Sequence, residues 1–464
     1  MSSSVLTRWE PESTAFWRAQ GERIAYRNLC ISIAALMLAF AIWMLWSVVA
    51  VNLDRAGFRF TKNQLFWLTA LPALSGATLR IFYAFLVPIF GGRRFTAIST
   101  ATLLVPALGM GFALRDPTTS YPTLLVLALL CGFGGANFSS SMSNISFFFP
   151  KAKKGLATGL NAGIGNLGVS VVQFLTPLVV SVGLFGALGG DAQTYQAGEV
   201  GKSLWLQNAG FIWVPFIVVA TLAAWFGMND IADARASFAD QAVIFKRKHN
   251  WLMCWLYVGT FGSFIGFSAG FALLTKSQFP GVNPTAYAFL GPLVGALMRP
   301  VGGWVSDKLG GARVTLWCFA AMIAAVLGVL AALPHGWAGG AGGSFPLFLA
   351  AFVVLFALTG VGNGSTFRMI PVIFMTERQR AARGKDEAAQ RQALLDAGKE
   401  SAAVLGFSGA IGAYGGFFIP KSFGTSLELT GSADAALYCF VAFYLSCMLV
   451  TWWHYARKNA PMPC

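Results

Sequence analysis

Acidic residues are scarce in this chain of 464 residues: 18 Asp and Glu stand against 33 Lys and Arg, and charged residues of every kind make up only 11%. None of the 18 acids falls in the middle of an apolar run. Histidine is scarcer still, and His249, His335 and His454 lie at loops or at the ends of runs, a pattern that supports neither His-based catalysis nor a metal centre. The seven cysteines, Cys30, Cys131, Cys254, Cys318, Cys439, Cys447 and Cys464, are scattered without a CxxC pair and read as small packing residues. No metal and no other cofactor is expected. The longest polar connection, from Thr376 to Glu400, is too short for an appended signalling or catalytic domain.

What is abundant is hydrocarbon. The chain is 56% hydrophobic, with a mean hydropathy of +0.63. About twelve runs are long enough to cross a bilayer, at roughly 28–52, 64–90, 95–114, 122–149, 155–184, 204–228, 250–275, 285–306, 313–333, 346–375, 401–425 and 435–456. The fold class is therefore all-α integral membrane, with twelve transmembrane helices. A net charge of +15 would suit nucleic acid, but the placement of the basic residues argues against that partner and for the lipid bilayer. Arg93, Arg94, Lys151, Lys153, Lys154, Lys246, Arg247, Lys248, Lys308, Arg313, Arg378 and Arg380 crowd one set of connections, whereas the opposite set holds few. By the positive-inside rule the crowded set is cytoplasmic, and so are both termini. The first 27 residues, with Arg8, Arg18, Arg23 and Arg27, lack the apolar core of a cleavable signal peptide.

Against this background two basic residues stand in mid-run, Arg80 and Arg299. Each costs about 2.5–3.5 kcal/mol at a helix centre, so function is the economical explanation. Snorkelling is poor from mid-span, and the sequence offers no central acid as a partner. The two arginines belong to a repeat. Gly76-Ala77-Thr78-Leu79-Arg80 followed by Gly91-Gly92 matches Gly295-Ala296-Leu297-Met298-Arg299 followed by Gly310-Gly311, at a constant offset of 219. Gly159, Gly165 and Gly168 recur as Gly406, Gly412 and Gly415 at an offset of 247, the difference being largely absorbed by the 376–400 connection. The division expected is a cytoplasmic segment 1–27, a six-helix bundle 28–229, a linker 230–249, a second bundle 250–456 and a tail 457–464, forming a parallel repeat.

A guanidinium is planar, always charged and weakly hydrated, so paired arginines suit a planar oxyanion. Asn166 is an amide among glycines and needs a partner, either an anion or an arginine. Gly163, Gly165, Gly168, Gly412 and Gly415 would let helices approach closely and slide, or simply pack tightly. Arg368 lies near the cytoplasmic end of its span and is expected to snorkel or to line an inner vestibule rather than to bind substrate.

The loop Gly302-Gly303-Trp304-Val305-Ser306-Asp307-Lys308-Leu309-Gly310-Gly311-Ala312-Arg313 resembles the signature between spans eight and nine of the major facilitator superfamily, carried by Gly303, Asp307, Gly310 and Arg313. Asp307 is expected to cap a neighbouring helix end and to pair with a basic group of the loop. The equivalent loop after span two has Pro88 where that acid would stand. With Gly132-Phe133-Gly134-Gly135-Ala136-Asn137-Phe138 in span four, Ala162-Gly163-Ile164-Gly165-Asn166-Leu167-Gly168 in span five, Phe261-Gly262-Ser263-Phe264-Ile265-Gly266 in span seven and Gly409-Ala410-Ile411-Gly412-Ala413-Tyr414-Gly415 in span eleven, the chain resembles the NarK-type nitrate/nitrite porters over essentially its whole length.

That resemblance implies two pseudo-symmetric six-helix bundles working by rocker-switch alternating access in a bacterial inner membrane, as a monomer. It implies Phe138, Tyr257 and Phe261 around a substrate held by Arg80 and Arg299. It also implies import of nitrate against export of nitrite. The absence of a central titratable acid favours such exchange over proton-coupled nitrate symport, the nearest alternative. An organic-phosphate exchanger would commonly add a further central Lys or His, which these spans lack. A membrane-embedded enzyme would call for a nucleophile-and-base constellation, which is missing too.

Overall fold

The computed structural model describes residues 4–197, 200–232, 243–334 and 342–464. His335 and the middle of the expected linker, 233–242, lie outside these. Among the described residues, twelve helical segments are long and apolar enough to cross a membrane: Thr14–Asn52, Lys62–Tyr83, Gly92–Ala113, Tyr121–Phe148, Ala152–Val179, Asn208–Gly227, Lys248–Gln278, Pro284–Leu309, Gly311–Ala332, Phe345–Ala382, Glu387–Thr430 and Asp434–Ala456. They are numbered here as spans one to twelve.

Local chemistry sets the ends. Span two opens on a capping box, in which Thr61 accepts from the Gln64 N–H and Gln64 returns a bond to the Thr61 N–H. The helix of span two runs on to Phe90, so the reversals into spans three and nine each fall on one glycine with positive φ, Gly91 at 86° and Gly310 at 89°. Only glycine takes that conformation cheaply, so both reversals of the repeat rest on it.

Two features differ from the sequence reading, whereas the helical character of the 376–400 stretch agrees with its Ala-, Gln- and Arg-rich composition. Helix begins at Thr14, inside the stretch expected to be a polar segment. The 376–400 connection is mostly helical, because it continues spans ten and eleven, with Asp386 capping the second helix through the Ala389 N–H at 3.1 Å. Two small sheets are also present. β1 (Val5–Leu6) pairs in parallel with β4 (Asp230–Ile231), and between spans five and six β2 (Gln193–Ala197) forms an antiparallel hairpin with β3 (Val200–Leu204).

The chain forms two compact units, and their limits differ from a division at the linker. Unit 1 comprises Met1–Ala236, Gly266–Leu293 and Gly416–Leu429; unit 2 comprises Ser237–Ile265, Val294–Gly415 and Thr430–Cys464. One end of spans seven, eight and eleven therefore belongs to the unit that holds the first six spans. Specific contacts inside unit 1 account for this. The Gln173 amide donates to the Ser268 carbonyl at 2.8 Å, and Lys276 Nζ meets Asp54 at 2.6 Å. Lys421 Nζ donates to Asn63 Oδ1 at 2.8 Å, and Gly424 has the Phe66 ring stem where a Cβ would stand.

In unit 2 a buried carboxylate of span eleven ties together the start of span seven and the end of span ten. Glu400 accepts from Arg247 Nη2 at 2.9 Å and from Arg378 Nε at 3.0 Å.

Candidate anion-binding site

In unit 1, Arg80 is completely buried. Its Nε donates to the Gly135 carbonyl of span four at 2.7 Å. Its guanidinium lies 4.8 Å from the ring centroids of both Trp43 and Phe138, and 6.0 Å from that of Phe40. Glycines make this cage. A Cβ on Gly135 would stand 2.5 Å from the Trp43 ring, one on Gly134 would stand 2.0 Å from the Ala39 carbonyl oxygen, and one on Gly132 would meet Ser75. The run Gly132-Phe133-Gly134-Gly135 thus draws spans one, two and four together, and the Trp43 indole is fixed by donating to the Pro72 carbonyl at 2.8 Å. Aromatic faces around a desolvated cation each contribute about 0.5–2 kcal/mol and hold its plane.

Unit 2 repeats the arrangement around Arg299, which is 8% exposed. Its Nη2 donates to the Tyr257 hydroxyl at 3.4 Å, and its guanidinium stands 5.0 Å from the Phe367 ring. Its Nη1 is buried and has no hydrogen-bond partner among the described residues. Tyr257 stacks on Phe261 at 5.3 Å, with 16° between the planes, and contacts Phe367 at 5.4 Å. Tyr257 immediately precedes a π-helical segment, Val258–Gly262, an irregularity frequent at functional sites. Here again glycines set the spacing: a Cβ on Gly364 would stand 2.2 Å from the Arg299 carbonyl oxygen, and one on Gly360 at 2.2 Å from that of Gly295.

The structure thus gathers Phe138 to Arg80, and Tyr257 with its stacked neighbour Phe261 to Arg299. It adds Trp43 and Phe367, which the sequence reading did not single out. A signal for Phe367 was present: Gly135-Ala136-Asn137-Phe138 and Gly364-Ser365-Thr366-Phe367 share a glycine three residues before the phenylalanine, at an offset of 229. Asn166 is buried, its Oδ1 has no hydrogen-bond partner among the described residues, and it makes no hydrogen bond to either arginine.

The glycines of spans five and eleven fall into two classes. A Cβ on Gly168 would stand 2.0 Å from the Met37 carbonyl oxygen, and one on Gly415 at 2.3 Å from the Gly262 Cα. Gly165 faces the Leu36 side chain at 2.7 Å, and Gly412 faces the Tyr257 ring at 2.7 Å, so Gly412 presses on a residue of the site itself. Gly163 and Gly303 face open space. For Gly163 the expected close approach is absent, because it lies on another face of the helix from Gly168.

The loop signature also departs from expectation. Asp307 pairs with Arg368 of span ten rather than with a base of its own loop. Arg368 is thereby held by a carboxylate instead of merely snorkelling. In the first half, where Pro88 replaces the acid, the carboxylate comes from far along the chain: Asp230 accepts from the Arg93 backbone N–H at 2.8 Å and from Arg93 Nε at 3.4 Å.

Comparison with known proteins agrees with this architecture. The Major Facilitator Superfamily matches residues 31–385. The nitrate/nitrite transporter NarU of Salmonella typhimurium is 54% identical over 98% of this chain and 97% of its own, and NarU of Escherichia coli is 53% identical over 99% and 97%. The Thermus thermophilus protein named "Probable nitrate/nitrite antiporter NarK2" is 41% identical over 99% of this chain and 98% of its own. With twelve membrane-spanning helices and relatives matched from end to end, the chain belongs to the NarK-type nitrate/nitrite porters of the Major Facilitator Superfamily, a family of transporters and not of enzymes.

Proposed function

We propose that this protein exchanges nitrate for nitrite across the cytoplasmic membrane of a bacterium, importing the first and exporting the second by alternating access, with Arg80 and Arg299 as the anion-binding cations and both termini in the cytoplasm. The observation that carries the reading is the state of Arg299: a buried guanidinium with one nitrogen on a tyrosine hydroxyl, another left over among the described residues, and flat rings on its flanks. Such a group offers parallel N–H donors to a flat monovalent oxyanion, and the rings keep water away from it. Arg80 lies in a comparable cage in the other half of the repeat. The names of the relatives supply nitrate and nitrite as the anions.

Exchange follows from charge. The acids lie outside the apolar runs that carry the two arginines, and the buried Glu400 is already engaged by Arg247 and Arg378, so the substrate is the counter-charge of Arg80 and Arg299. Reorienting them without an anion carries positive charge through a low-dielectric interior, which is costly. A bound anion lowers that barrier, and one anion returning for each that enters leaves no net charge moved. The chain works as a monomer in this reading. Counterflow into proteoliposomes tests it: labelled nitrate should enter vesicles loaded with nitrite, stay out of empty ones, and leave internal pH unchanged. Uptake into empty vesicles with stoichiometric alkalinisation would replace exchange with proton symport.

A further inference from the structure

Away from both arginine cages, unit 2 carries a groove of about 420 Å³ among spans eight, nine and ten. Its walls are hydrocarbon: Val305 and Leu309 of span eight, Trp317 and Ala321 of span nine, Leu358 and Val361 of span ten. Arg313 is its charged lining residue and stands in the first turn of span nine. Arg313, Trp317 and Ala321 are successive positions four apart, one stripe of the helix that extends about 12 Å from the arginine into the apolar part. Arg313 is exposed and makes no ion pair or hydrogen bond among the described residues, while Asp307, the acid of the same loop, is engaged by Arg368. At the end of span eight the Lys308 ammonium lies 3.9 Å from the Trp304 ring centroid, and Trp304, Leu309 and Trp317 are exposed.

A hydrocarbon groove with an unengaged guanidinium at one end and the exposed Trp317 in its wall has the chemistry of an amphiphile site. An anionic head at the membrane surface meets Arg313, and a tail lies along the stripe below it. Free inorganic phosphate would use the arginine and leave the walls unused. We infer that the groove binds one anionic phospholipid, its phosphate on Arg313 and an acyl chain between spans eight, nine and ten. On the orientation proposed above, the lipid belongs to the cytoplasmic leaflet.

Native mass spectrometry of the delipidated full-length protein with phosphatidylglycerol or phosphatidylcholine added back tests the assignment. The parent should retain one phosphatidylglycerol in preference to phosphatidylcholine. Arg313→Ala should weaken that retention about tenfold, the loss expected for one charge-assisted hydrogen bond. Ala321→Phe should weaken it as well, by filling the groove without changing charge, and Ala321→Leu serves if phenylalanine prevents folding, as judged by size exclusion. Arg94→Ala, at the equivalent position of the other half, should leave retention intact. Equal retention of the two lipids would overturn the proposal, as would an Arg94→Ala effect as large as that of Arg313→Ala. So would full retention by a folded groove-filled variant, displacement by inorganic phosphate, or a dimer appearing in place of the lipid adduct.

Discussion

Asp230 holds Arg93 from the far end of the first bundle: one carboxylate oxygen takes the backbone N–H of Arg93 and the other faces its Nε, with both side chains almost fully buried. The same carboxylate occupies the space beside Gly91, where an added Cβ would stand 2.5 Å from its Oδ1. The turn between spans two and three and the segment after span six are therefore one joint.

Asp230→Asn leaves a buried guanidinium without its counter-charge, which typically costs about 3–5 kcal/mol. We predict a clear fall in the thermal midpoint of the detergent-purified variant, and a similar fall for Gly91→Ala, which adds backbone strain to the collision. A parent-like melting curve for Asp230→Asn would mean that the pair contributes little.

Arg80→Lys and Arg299→Lys keep the charge but lose the planar fork and the ring stacking. Each should lower nitrate/nitrite exchange by roughly two orders of magnitude, on the scale of about 2–3 kcal/mol for charge-assisted contacts. Exchange near the parental rate by either folded variant would remove the arginines from the proposed mechanism.

Phe138 and Phe367 stand at comparable distances from their arginines, 4.8 and 5.0 Å. Replacing either by leucine keeps the hydrocarbon and removes the ring face, a change worth about 0.5–2 kcal/mol. We expect each to weaken nitrate binding by about threefold to thirtyfold, read as a reduced shift of the melting point on adding nitrate. A loss confined to Phe138→Leu would show that the two cages are unequal.

The glycine contacts separate into a graded test. Gly168→Ala and Gly415→Ala place a Cβ against backbone that has no freedom to retreat, so both should abolish exchange. Gly163→Ala enters open space and replaces the poorer helix former, so it should leave exchange intact and raise stability by up to about 1 kcal/mol. Equal loss in all three would trace the defect to something other than close packing.

Much of this was legible in the sequence, and the reasons are local. Long apolar runs identify spans because the bilayer demands them, and Arg80 and Arg299 are conspicuous because charge is so costly there. Gly91 and Gly310 could be paired by their offset alone, and both prove to be positive-φ turns. What escaped notice depends on distant chain. Phe367 is one of 41 phenylalanines, and only its glycine spacing distinguishes it. Asp230 lies 137 residues from its arginine, so no reading of the span-two loop finds it. The hairpin of β2 and β3 lies in a polar connection whose pattern is too short to stand out between two strong spans.

The composition of unit 1 bears on how the protein is made. Its first 236 residues lack 266–293 and 416–429, which complete it. A ribosome that has finished span six has therefore released a bundle with contacts still to be made: Asn63 awaits Lys421, and Gln173 awaits Ser268. Those partners emerge only as spans seven and eleven are synthesised. In this conformation the last contacts of unit 1 can form only once span eleven has been made.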